Sequence, residues 1–294
     1  MKKTKKFAAA LAAVAAAVTL GGCVAPNIGD GNDKIDGGIP PEEIEIPSEQ
    51  LPGQPPEDIE IPSETPKPEE QPPAKPEIPV PQTKKISYLN VTADGVNIRS
   101  GAGTGYSARG TAQKSTMYAA DGKTDGWYKT GYKNKSAYIS SKYCKLVEME
   151  ASEDERIEAV IAEGTKLLGT AYVFGAVRYH DGNGRLLKNF TTSEFDCSSL
   201  MQYIFYKGAY FNLQVNTRTQ IYQGKTVKKS ELKRGDLMFF TNESRKNNVG
   251  VERVGHVALY LGDNWILHTA SDFAKIEQIS AKRWSYFIQG QRIF

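Results

Sequence analysis

Apolar positions along this chain change their spacing several times, and each change marks a different kind of element. Phe7 to Leu20 is an apolar run interrupted only by Thr19, behind Lys2, Lys3, Lys5 and Lys6, and is short for a bilayer span. From about Ser87 to Val147, short apolar runs are punctuated by Asp94-Gly95, Asp121-Gly122 and Asp125-Gly126, which predicts a small all-β barrel. Ile157, Val160, Ile161, Leu167 and Leu168 then form one apolar face. They predict a helix opening at Ser152, with Glu155 at capping-box spacing, and ending at Gly169. A second helix is predicted after Asp196, where Leu200, Met201, Ile204 and Phe205 recur at three and four residues and Gly208 closes the run. Beyond it, Leu237–Phe240, His256–Leu261 and Trp265–His268 read as buried strands. Helices followed by a mainly antiparallel sheet define an α+β domain.

Composition separates these folded parts from what precedes them. All 15 prolines lie between Pro26 and Pro81. Within that stretch Pro40–Glu49 recurs in closely similar form as Pro55–Glu64. Such a segment cannot bury a core and reads as a disordered, polyproline-II-biased tether over residues 23–86. The basic start and apolar run over residues 1–22 read as a leader, and Leu20-Gly21-Gly22-Cys23 resembles the bacterial lipobox, which implies lipidation at Cys23. Charge is segregated as well. Residues 24–83 carry −11 and the leader +4, so the total of +3 leaves +10 on residues 84–294. A cationic folded part on an anionic tether suits an envelope rich in anionic polymers. Export from the cytoplasm argues against nucleic acid as a partner.

The chain has only 3 histidines, and two of them fall in the strand region. Asp196 is placed to cap the second helix, so that Cys197 lies in its first turn. There the free N–H groups and the dipole favour an anionic sulfur and can hold an oxyanion. With Gly262-Asp263-Asn264 taken as a three-residue turn, His268 shares a sheet face with His256 and can orient its ring. A two-residue turn would place them on opposite faces. A thiol with a nearby imidazole is a nucleophile–base pair. One thiolate with two imidazoles is also a possible zinc set, and a structural disulfide between Cys144 and Cys197 is conceivable outside the cytoplasm. Cys144 is otherwise read as a small buried apolar residue at a strand end.

Two families come into view once these motifs are set side by side. Val96–Gly101, Gly126–Lys129 and Tyr138–Tyr143 resemble the signature of bacterial SH3-like domains, placed at residues 87–148. Trp127 is expected in the core of that barrel. Residues 152–294 resemble the NlpC-type peptidases through Gly169–Gly175, Phe195–Leu200, Arg218–Gln220, Arg234–Phe240 and Gly255–His268. The resemblance implies a papain-like α+β fold and hydrolysis of peptidoglycan stem peptides at the D-γ-glutamyl–diamino acid bond. It implies Cys197 as nucleophile, His256 as base and then acid, and His268 as the third polar residue. Tyr172 and Ser198 are expected at the oxyanion or substrate, and neither metal nor cofactor is called for. Ser199 stands where the family has glycine. The stretch Arg178–Arg185 lengthens a loop beside the groove and is read as either substrate-shaping or a solvated surface loop, with His180 solvated. A lipid-anchored wall-binding protein without activity is the alternative.

Overall fold

The structure is a computed structural model that describes residues 83–294. The expected leader, the lipidation site Cys23 and nearly all of the tether lie outside the described residues.

The N-terminal half is built from β1 (Lys85–Val91), β2 (Val96–Arg99), β3 (Ala108–Ala112), β4 (Met117–Ala119), β5 (Gly122–Thr124), β6 (Trp127–Tyr132), β7 (Lys135–Ser140) and β8 (Cys144–Glu150). Every pairing among them is antiparallel. Strands β3-β2-β7-β6-β5 form one sheet, while β4-β1-β8 belong to another. Leu89, Ile98, Met117, Ala137 and Ile139 fill the space between the two and are fully buried. Trp127 is only half-buried. The core aromatics are instead Tyr88, Tyr118 and Tyr132, because Trp127 opens its strand beside the tight Asp125-Gly126 turn rather than sitting mid-sheet. Cys144 is likewise only half-buried and, like Cys197, a free thiol, so the two are not bridged.

The C-terminal half runs α1 (Glu155–Lys166), β9 (Ala171–Tyr172), β10 (Glu194–Phe195), α2 (Cys197–Ala209), α3 (Thr217–Gln220), β11 (Lys225–Val227), β12 (Leu237–Phe240), β13 (His256–Gly262), β14 (Trp265–Ala270), β15 (Phe273–Gln278), α4 (Ala281–Ser285) and β16 (Phe287–Arg292). The sheet order is β11-β16-β12-β13-β14-β15, and it continues through one Ile276–Met117 pair into β4-β1-β8. Both faces are covered, as the all-apolar β12 requires. Leu237 and Phe239 join the core under α1 and α2, whereas Met238 and Phe240 pack with Ala258, Ile266 and Trp284 on the α4 side.

Three helix ends differ from the sequence expectation, the first being the C-terminal end of α1, which stops at Lys166 and not at Gly169. Helix α1 is capped by Asp154, whose carboxylate accepts the Arg156 N–H at 2.9 Å; Ser152 instead holds the Asp154 N–H at 3.1 Å. Substituting such a cap costs about 1 kcal/mol. Gly208 does not stop α2, which continues to Ala209 and turns off at Tyr210 in the left-handed region. A Cβ at Gly208 would lie 2.5 Å from the Val160 nitrogen, so this glycine is where α1 and α2 cross.

The halves are joined by polar contacts as well as by the sheet. The β6–β7 turn donates Lys133 N–H to Leu168 O at 2.9 Å and Asn134 N–H to Lys166 O at 2.8 Å, satisfying carbonyls left open where α1 ends. Arg234, in the turn before β12, reaches Glu158 of α1 at 2.6 Å, the Leu261 carbonyl at 2.8 Å and the Tyr88 hydroxyl at 2.7 Å.

Candidate active site

Cys197 occupies the first turn of α2, as the capping pattern predicts. Asp196 accepts the Ser199 N–H at 2.8 Å, and the Ser199 hydroxyl accepts the Asp196 N–H at 2.9 Å. A glycine at 199 could not close this reciprocal cap. The other Asp196 oxygen faces Gly175 N–H at 3.2 Å and the Arg178 guanidinium at 2.9 Å. The Ser198 hydroxyl donates to Asp196 at 3.0 Å and receives Arg178 at 3.2 Å. Its side chain is therefore committed to holding the helix start, and what Ser198 offers the sulfur is its backbone N–H.

Electrostatics at the sulfur depart from the expectation of a resting thiolate. Burial, reinforced by the Asp196 charge, pushes the Cys197 thiol up to about 11. The Val257 and Ser198 amides and Arg178 pull it down without offsetting that rise. Desolvation of a charge outweighs two amide dipoles and a guanidinium already paired with Asp196. At rest the sulfur carries its proton.

The histidines stand on the sheet face covered by α4. The turn between β13 and β14 has two residues, Asp263 and Asn264, both at positive φ (47° and 66°), the type I′ geometry of tight hairpins. Taken alone it would put His256 and His268 on opposite faces. A bulge restores the parity. Leu259 pairs with Leu267 and Tyr260 with Ile266, yet Gly262 pairs with Trp265, leaving Leu261 unopposed. His268 accordingly falls diagonal to His256, with His256 Nε2 3.0 Å from His268 Nδ1. Among the described residues, no group of three His, Cys, Asp or Glu side chains could hold a metal. Burial lowers the affinity of both rings for a proton, that of His256 well below its ordinary value.

The sequence reading missed the residue on the far side of His268. Glu277 Oε1 lies 2.9 Å from His268 Nε2. Strand β15 pairs Lys275 with His268, so Glu277 is two residues along on the same face. Alternation from His268 across the following hairpin was the signal that pointed there.

A cleft of about 460 Å³ opens over Cys197, walled by Tyr172, Phe174, Arg178, Asn216, Arg218 and Arg245 among others. A second, of about 350 Å³, opens over His256 beside Phe240, Arg283 and Tyr286. Tyr172, Asn242 and Gly255 border both, so the thiol and the imidazole flank a common rim. Tyr172 keeps its hydroxyl proton, since burial and the neighbouring Cys197 and Asp196 raise its phenol.

His180 is not solvated. It is 0% exposed, packs on Tyr206 with ring centroids 5.2 Å apart, and accepts the Gly182 N–H at 3.0 Å on Nδ1. Gln202 of α2 pins this loop by accepting Tyr179 N–H and donating to His180 O, each at 3.1 Å. Tyr179 is wedged among Phe190, Tyr203 and Tyr206. The insertion is a packed layer on α2 that delivers Arg178 to the site.

Residues 169–292 match the NlpC/P60 family and residues 94–145 the bacterial SH3 domain. Among similar proteins, the peptidoglycan DL-endopeptidase CwlO of Bacillus licheniformis is 30% identical over 48% of this chain and 28% of its own length. A gamma-DL-glutamyl hydrolase of Bacillus subtilis is 27% identical over 60% of this chain and 40% of its own. A probable endopeptidase, an NlpC homolog of Haemophilus influenzae, is 33% identical over 44% of this chain and 63% of its own. The chain thus spans less than two thirds of the length of each of these relatives.

Proposed function

We propose, from the match of residues 169–292 to the NlpC/P60 family and of residues 94–145 to the bacterial SH3 domain, that the chain is a peptidoglycan hydrolase of the thiol type, cleaving stem peptides between D-γ-glutamate and a diamino acid. The observation that carries the reading is the pair of bonded histidines across a shared rim from a free thiol in a helix's first turn.

The reaction is acyl transfer. As the sulfur attacks the scissile carbonyl, His256 takes the thiol proton, so the S–C bond forms as the S–H bond breaks. Negative charge on the carbonyl oxygen is met by the Tyr172 hydroxyl and by backbone N–H groups at the start of α2. The intermediate collapses with loss of the amine, which leaves with the proton from His256. Water then attacks the thioester with His256 as base and frees the acid and the thiol. His268 orients the His256 ring throughout.

The proposal extends to location: outside the cytoplasm, with a lipid anchor on Cys23. The supports for this part are the lipobox resemblance and the proline and charge segregation. In this reading the SH3 domain supplies binding energy that positions wall substrate for the catalytic half.

The test compares the full chain with Cys197→Ala on muropeptides bearing tri- and tetrapeptide stems, with products weighed by mass spectrometry. Cleavage after D-glutamate by the parent alone is expected. Equal retention of both proteins on wall material, with no cleavage by either, would replace the hydrolase with a binding module.

A further inference from the structure

We infer that Glu277 is a positioning residue that sets the direction of every proton along the His256–His268 pair, leaving His256 Nδ1 as the lone pair that serves the thiol. The inference rests on the hydrolase reading for its catalytic meaning, though not for its geometry.

Each step follows from a contact and the donor inventory of the groups involved. Glu277 Oε1 also receives Arg283 Nη2 at 3.2 Å, and Lys275 Nζ lies 3.8 Å from Oε2. Burial would push this carboxyl up, but the bond from His268 and the charges of Lys275 and Arg283 hold it below its ordinary value. Ionised, it can only accept. The 2.9 Å contact therefore requires the hydrogen on His268 Nε2. Burial keeps the His268 ring neutral, so its Nδ1 holds a lone pair. The 3.0 Å contact between the rings then needs its hydrogen from His256 Nε2. Neutral His256, with its hydrogen on Nε2, has a bare Nδ1, the one ring nitrogen not engaged by His268.

Without the carboxylate this direction is undetermined. His268 could carry its hydrogen on Nδ1 and donate to His256 Nε2. His256 would then hold its hydrogen on Nδ1 and could not accept one from the thiol. A direct hydrogen bond between two histidines is symmetric in kind, and an acceptor-only group at one end makes it directional. The same carboxylate also opposes the positive charge that reaches His256 when it takes the thiol proton. That contribution exists only in the charged state, which is where a catalyst gains rate. The groups facing this chain are His256 from β13, Lys275 and Glu277 from β15, and Arg283 from α4. Asp272 additionally pairs with Lys275 at 2.7 Å.

The experiment exploits the three histidines of the full chain. Ring-¹⁵N-histidine protein, without an affinity tag, gives three imidazole patterns in long-range ¹H–¹⁵N correlation spectra at neutral pH. His256→Gln and His268→Gln assign them. In the parent, both His256 and His268 are expected with hydrogen on Nε2 and none on Nδ1. Glu277→Gln, whose amide can donate or accept, should mix the tautomers of both rings. It should also lower kcat on the muropeptide at least about tenfold, since a positioned proton transfer is worth roughly 10²–10⁴-fold, with KM unchanged and the acid limb of the pH profile displaced. Glu277→Asp should recover part of both effects. A parent with hydrogen on His256 Nδ1 overturns the inference, whether or not the Glu277 variants fold. So does a folded Glu277→Gln with parental tautomers and kcat. If the parent cleaves no stem, the hydrolase reading fails while the tautomer spectra still decide the role of Glu277.

Discussion

The two sides of the site are built by different means. Cys197 is held by neighbours in sequence: Asp196, Ser198 and Ser199 close a cap within four residues, and Arg178 and Gly175 lean on the same carboxylate. His256 and His268 are held by a strand register, a bulge and a carboxylate from a third strand. A helix start is local chemistry and survives small changes around it. A sheet face is a matter of parity, where one residue more or less reverses everything beyond it.

Deleting Leu261 should produce the largest effect. The hairpin keeps its two-residue turn but loses the bulge, so His268 is carried to the opposite face from His256. Hydrolysis should fall to that of the Cys197→Ala variant, while Cys197 still reacts with iodoacetamide. Retained hydrolysis would show that the bulge does not set the pairing. Asp196→Ala strikes the other side. It removes the cap and strips Arg178 of its partner in a poorly solvated place, and breaking such a pair costs about 3–5 kcal/mol. The urea midpoint should fall accordingly, with activity lost as Gly175 and Tyr172 come loose from the helix start.

The two sides should also separate by pH. His256 and His268 bind protons less readily folded than unfolded. Stability is therefore fully present above their unfolded value and declines as the pH drops below it, by up to about 1.4 kcal/mol per pH unit for each ring. Glu277, at about 2 folded against an ordinary 4.5, contributes stability that is present above 4.5 and lost as the pH falls toward 2. Urea melts from pH 7.5 to 4 should show the first loss, and His256→Gln should flatten it. On the other side, a thiol raised to about 11 predicts that alkylation of Cys197 keeps accelerating through the alkaline range. A plateau already reached at neutral pH would mean a resting ion pair with His256. The smallest effect is expected for Ser199→Ala, which removes half of the reciprocal cap. It should cost about 0.5–1 kcal/mol in a thermal melt and leave kcat near the parent's.

The legible parts follow the same division. Asp196 as cap and Cys197 in the first turn could be read because capping depends on residues one to three positions apart. The strands of β12, β13 and β14 could be read because their apolar runs are continuous. The turn was misjudged by one residue, and the pairing of the histidines was still reached, because the unopposed Leu261 supplied the missing residue. Nothing in the run Val257–Leu261 distinguishes a bulge from a regular strand. His180 looked solvated because its neighbours in sequence are Asp181, Gly182 and Asn183. Its burial comes from Gln202 and Tyr206, which lie on α2 beyond Cys197.

By itself the sequence determined the elements: which stretches of the described residues are helix or strand, and that Cys197 opens a helix behind Asp196. These depend on spacing and on the chemistry of adjacent residues, which a linear text contains. The tertiary structure alone decided which groups share a charge. It set Glu277 behind His268, delivered Arg178 to Asp196, and buried the thiol deeply enough to keep its proton. Those outcomes depend on desolvation and on contacts between strands and loops far apart in the chain, and proton affinity responds to both more strongly than to any neighbour in sequence.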